Sequence, residues 1–153
     1  MSRRADLLTD ADLLAYESTL DQGQLNALKQ YCAFPFGTLM ILGPHGVGKT
    51  WLSVAILKKV MRMGATGSFF SVPWLLAELR DWTVGAKSFR ITDFVRKPVA
   101  YDYLVLDDLG ANRATDWAIE TLYLVLDQWA ARERNGLIVT TNMDMGEIAR
   151  VFS

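Results

Sequence analysis

The chain has 153 residues, 17.2 kDa and 51% hydrophobic residues, enough for one domain with a buried core, which excludes a disordered protein. A formal net charge of −1 and a pI near 5.8 exclude a globally basic, nucleic-acid-coating surface, leaving only a local patch or an assembly for such contact. Cys32 is the single cysteine, so no intrachain disulfide can form. No apolar run nears the roughly 18–20 residues of a membrane span, and Met1-Ser2-Arg3-Arg4-Ala5-Asp6 holds no apolar signal core, so the cytoplasm is the expected location.

Asp10 is placed to cap a helix with apolar positions Leu13, Leu14, Leu20, Leu25 and Leu28, which Gly23 divides. Pro35 and Gly37 end it, so residues 1–35 are expected to form a helical lead-in to a domain of residues 36–153. The apolar run at 38–42 predicts a first strand, followed by a glycine-rich loop and a helix over 49–62. Gly64 and Gly67 break the chain before a second strand at 68–72, and Pro73 suits the first turn of a helix over 73–81. Residues 82–100 have the weakest pattern, with a short helix expected at 91–96 and stopped by Pro98. Tyr103-Leu104-Val105-Leu106 reads as a buried parallel strand. A long helix is predicted over 115–134, stopped by Asn135-Gly136, then another buried strand at 137–141 and a last helix capped by Asp144. Strands alternating with helices imply an α/β fold: a parallel sheet flanked by helices on both faces, with ligands at the C-terminal ends of the strands.

The loop after the first strand reads Gly43-Pro44-His45-Gly46-Val47-Gly48-Lys49-Thr50, with Trp51 following. This is the P-loop pattern, in the strand-to-helix setting that the pattern needs. Glycines let the backbone wrap phosphates with its N–H groups turned inward, and the helix start adds its positive dipole end. The Lys49 ammonium can reach β- and γ-phosphates, and the Thr50 hydroxyl can reach Mg²⁺. The stretch 43–51 is therefore the candidate ATP-contacting segment. His45 lies within it but has no sequence partner that would give it a chemical role.

Asp107 and Asp108 directly follow the strand at 103–106. An acid after four apolar residues suits Mg²⁺ binding beside the P-loop threonine, which assigns Asp107 with Thr50 to the metal. The next acid, Asp108, can orient a water for attack on the γ-phosphate. Asn142, at the end of the strand 137–141, either touches the γ-phosphate or attacking water or makes an ordinary post-strand turn. Trp74, Trp82, Trp117 and Trp129 read as core or interface anchors rather than base-stacking platforms, and Cys32 as a buried residue. Arg132 and Arg134 complement the dipole of the long helix, with a role at a neighbouring subunit or at DNA as the sharper alternative.

A P-loop alone fits many nucleotide-binding proteins. The series Gly43 to Thr50, Leu104-Val105-Leu106-Asp107-Asp108-Leu109-Gly110 and Leu137-Ile138-Val139-Thr140-Thr141-Asn142 resembles the DnaC/IstB family of AAA+ ATPases, which contains replicative helicase loaders and helper ATPases of transposition. The likeness covers residues 36–148. It implies an AAA+ core with parallel strands in the order 5-1-4-3-2, in which residues 43–50 are Walker A, Asp107 and Asp108 Walker B, and Asn142 sensor 1. It also implies Mg²⁺ and ATP/ADP as ligands, a replicative helicase or a transposase as partner, self-association through AAA+ interfaces, and single-stranded DNA as a further partner. An ATPase acting in DNA replication in the manner of a helicase loader is the leading expectation. A transposition helper and a non-hydrolysing nucleotide-binding module are the alternatives. The acid pair and Asn142 speak against a small-molecule kinase. The family pattern continues past sensor 1 into a fifth strand, a helical lid and later arginines. Here eleven residues follow Asn142, with Arg150 the one arginine among them, so a C-terminally incomplete core is expected and turnover by the chain alone is weak or absent.

Overall fold

The computed structural model describes residues 20–33, 36–85, 101–111, 113–132 and 135–152. Its elements run α1 (Gln22–Ala33), β1 (Gly37–Leu42), α2 (Lys49–Arg62), β2 (Gly67–Ser71), α3 (Val72–Gly85), β3 (Tyr103–Leu109), α4 (Asp116–Ala130), β4 (Gly136–Thr141) and α5 (Met145–Phe152). The strands form one parallel sheet in the order β1-β4-β3-β2, which matches the expected α/β arrangement.

The pleat sorts the central strands between two cores. Leu104, Leu106, Leu137 and Val139 pack with α3 and α4 through Leu75, Leu79, Leu122, Val125 and Trp129. The alternate residues Tyr103, Val105 and Ile138 face α1 and α2 and meet Leu28, Tyr31, Leu52, Ile56 and Val60. Every residue of β4 is buried, as the two-sided cover of a parallel strand requires. The sheet is thus the middle of three layers, and α1 shares the core of the P-loop helix.

Several boundaries differ from the sequence expectation. α1 starts at Gln22 because Asp21 caps it: its Oδ1 accepts from Gln24 N–H at 2.8 Å while Gln24 Oε1 accepts from Asp21 N–H at 3.1 Å. Gly23 therefore lies in the first turn instead of dividing a helix. β3 continues to Leu109, so Asp107 and Asp108 lie within the strand and not after it. α4 starts where expected, with the Thr115 hydroxyl accepting from Ala118 N–H, but ends at Ala130. Beyond it, the Arg132 side chain turns back to donate to Tyr101 O at 2.6 Å and sits over the Trp129 ring. α3 runs from Val72 to Gly85, longer than predicted.

Trp129 is a core residue, and Trp117 packs half-buried beneath the Arg80 guanidinium. Trp74, at 73% exposed, is not in the core. The expectations for Asp10 to Leu14, for the helix at 91–96, for the Cys32 and Trp82 side chains and for Arg134 lie outside the described residues.

Candidate functional site

Because β4 lies between β1 and β3, three chain segments far apart in sequence end side by side. β1 delivers the P-loop, β3 the acid pair and β4 Asn142. The Gly43 N–H donates to Thr141 O at 3.2 Å, which carries the β1–β4 ladder to the first residue of the loop. The loop then needs left-handed backbone at Gly46 (φ 81°) and Gly48 (φ 93°), conformations that cost other L-residues about 1–2 kcal/mol. Gly48 is also the N-cap of α2. It has no side-chain acceptor for the first-turn N–H groups, and that turn contains no acidic residue, so the helix start is suited to an anionic ligand.

Lys49 is 8% exposed, and its ammonium points back across the loop. Its Nζ donates to Pro44 O at 2.7 Å and to Asn142 Oδ1 at 2.6 Å. The Asn142 amide Nδ2–H is donated to His45 Nε2 at 2.9 Å. An amide nitrogen cannot accept, so this contact places the imidazole proton on Nδ1. His45, Lys49 and Asn142 are thus one hydrogen-bonded chain. The sequence offered no signal for the His45 contact, since its partner stands 97 positions away.

The second cluster centres on Asp107, which is 2% exposed. Thr50 Oγ1 donates to its carboxylate at 2.9 Å to Oδ1 and 3.1 Å to Oδ2, and Thr140 Oγ1 donates to Oδ1 at 2.7 Å. A buried carboxylate beside a threonine hydroxyl at the head of the helix that follows the glycine-rich loop is a hard oxygen donor set that fits Mg²⁺. No group of three or more His, Cys, Asp or Glu side chains able to hold a metal occurs among the described residues.

Asp108 is half-buried and is the one non-glycine residue with positive φ (59°) among the described residues. Its N–H donates to Thr140 Oγ1 at 2.9 Å. One position on, Thr141 Oγ1 donates to Leu109 O at 2.7 Å and accepts from Met143 N–H at 3.0 Å. Gly110 (φ 82°) completes the turn, and a Cβ there would stand 2.6 Å from Met143 Cε, so the absence of a side chain lets Met143 pack over the turn. Trp51 and Val47, at 42% and 55% exposed, lie on the solvent side of the loop and helix start. Thr140 and Thr141, both fully buried, were not singled out from sequence. Their signal was available: two hydroxyls at the buried end of an otherwise apolar strand must find partners.

The family model for IstB-like ATP-binding proteins matches residues 3–153. The chain belongs to that family. A Pseudomonas fluorescens protein named for insertion sequence IS1162 and for ATP binding is 35% identical over 92 residues. That stretch is 60% of this chain and 38% of the relative, so the chain spans about two-fifths of the relative's length. Among solved structures, the DnaC helicase loader aligns with 28% identity and a TM-score of 0.64, covering 84% of this chain and 73% of that one. DnaI aligns at 22% identity with a TM-score of 0.70, covering 94% and 80%. The replication initiator DnaA, bound to AMPPCP and single-stranded DNA, aligns at 14% identity with a TM-score of 0.67, covering 85% and 43%. The last two likenesses concern the fold, which is the P-loop AAA+ core. This chain is thus a member of the IstB-like ATP-binding protein family with the P-loop AAA+ fold. No helix among its described residues is long and apolar enough to cross a membrane.

Proposed function

We propose that this IstB-like chain carries the ATPase core of a cytoplasmic helper protein that works on DNA. Residues 36–153 are the core and residues 1–35 its lead-in. Residues 43–50 and Trp51 contact ATP, with Lys49 on the β- and γ-phosphates. Thr50 and Asp107 hold Mg²⁺, which when bound neutralises phosphate charge and fixes the triphosphate geometry. Asp108 orients the attacking water, and Asn142 holds the γ-phosphate or that water by its amide.

The single observation that supports this reading best is the Lys49 ammonium bonded to Asn142 while Thr50, one residue on, is bonded to Asp107. The meeting of Lys49, Thr50, Asp107 and Asn142 at one end of the sheet supports a site for a triphosphate and its cation. The relative named for an insertion sequence favours transposition, with a transposase and DNA as partners. The likeness to the DnaC helicase loader supports the replication reading, with a replicative helicase as partner. Self-association through the AAA+ faces and contact with single-stranded DNA belong to both.

Nucleotide titration followed by single-turnover ATP hydrolysis, with and without single-stranded DNA, tests the proposal. Binding in the micromolar range with DNA-stimulated turnover is expected. Binding with no turnover under any condition would mark the chain instead as a module whose partner surface is organised by ATP. No binding at all would refute the reading.

A further inference from the structure

In a regular strand, consecutive side chains leave opposite faces, so adjacent acids would be aimed apart. β3 departs from regularity at the acid pair. Leu106 pairs with Val139 and Leu109 with Thr141, so Asp107 and Asp108 together face Thr140 alone. This is a β-bulge: two residues oppose one, and the bulged strand bends and re-aims its side chains. The bulge removes a backbone partner, and Thr140 replaces it with its side chain. Its hydroxyl accepts the Asp108 N–H at 2.9 Å and donates its own proton to Asp107 Oδ1 at 2.7 Å. Thr140 has no exposed surface, so its hydroxyl bonds only within the protein. The accepted N–H belongs to the residue held at φ 59°, a conformation that persists only when its surroundings enforce it.

We propose that Thr140 is the positioning residue of this site: its hydroxyl pins the bulge and thereby aims both acids. The inference rests on the roles proposed above for Asp107 and Asp108, but the pinning itself is independent of them. Thr140 is fully buried behind the two acids, so its action on the site runs through them. One hydroxyl holds the Asp107 carboxylate from the sheet side, opposite the bond from Thr50, and also holds the backbone of Asp108, so the metal-binding acid and the water-orienting acid are set together. A methyl group of the same shape would fill the space and do neither.

The test compares Thr140→Val, which keeps volume, with Thr140→Ser, which keeps the hydroxyl, in the whole chain. Amide hydrogen exchange at Asp108 is read first, without nucleotide. Thr140→Val is expected to lose at least about ten-fold in protection there while the amides of Val105 and Ile138 stay protected, and Thr140→Ser to stay within about three-fold of the parent. Binding of a fluorescent ATP analogue is then titrated with and without Mg²⁺. Thr140→Val is expected to bind as the parent does without the cation, to lose about ten-fold of the gain that Mg²⁺ brings, and to lose any turnover in kcat and not KM. Thr140→Ser should restore both. Unchanged Asp108 protection in Thr140→Val overturns the proposal, as does a serine variant that behaves like the valine one. A parent chain that binds no nucleotide sinks the functional reading instead, and the exchange result still decides the role of Thr140.

Discussion

Lys49→Ala separates a phosphate-binding lysine from a structural one. Lys49 Nζ donates to Pro44 O and Asn142 Oδ1 at 2.7 and 2.6 Å, both neutral acceptors at the mouth of the site. Two charge-assisted bonds to phosphate oxygens would contribute about 3–6 kcal/mol, since each hydrogen bond to a charged group contributes about 1.5–3 kcal/mol. Giving up the two neutral acceptors offsets part of that, leaving about 2–4 kcal/mol. At 1.4 kcal/mol per factor of ten, the alanine variant should bind ATP roughly thirty- to seven-hundred-fold more weakly. The fold should lose far less. Asn142 is exposed, so water can replace the lysine at its Oδ1, and the cost should be about 1–2 kcal/mol. Lys49→Met keeps most of the buried stem and should match alanine in affinity while unfolding nearer the parent temperature. Fluorescent-nucleotide titration and thermal denaturation read the two effects. Affinity within about three-fold of the parent in both variants would refute the reasoning.

Asp108→Asn should leave ATP affinity within a few-fold of the parent and remove turnover by at least about a hundred-fold, read by single-turnover hydrolysis. Gly110→Ala should destabilise by about 1–2 kcal/mol in denaturant unfolding, because φ 82° disfavours any Cβ and Met143 must also move. Asp102 accepts from the Thr66 backbone N–H and then from its hydroxyl, both at 2.8 Å, and lies near Arg132; these hold its carboxyl below the ordinary value. A depressed folded-state value means stability present at neutral pH and lost as pH falls below about 4. Melting temperature followed against pH should therefore drop over that window in the parent, and Asp102→Asn should flatten the drop.

The sequence made the α/β alternation, the bounds of α2 and the strand-and-helix setting of Lys49, Thr50 and Asp107 legible. Each rests on a local pattern: apolar runs, a glycine-rich turn, an acid after four apolar residues. Element ends were less legible because side chains set them. α1 begins where Asp21 and Gln24 cap each other, and the stretch after α4 turns where Arg132 reaches Tyr101 O. Trp74 shows the limit of composition, since an indole carries no mark of whether its helix face will meet the core or solvent.

The chain's own order of residues settled that a phosphate loop stands between a strand and a helix, because glycine sterics and hydrophobic period act over a few neighbours. Folding decided how the pieces meet. Asn142 bonds a lysine 93 positions away, and Thr140 faces two acids in place of one, because β4 inserts between β1 and β3 and β3 carries one residue too many for its partner. Strand register is a property of two distant segments at once. No window of the sequence contains both, and the aim of the acid pair exists only once they are paired.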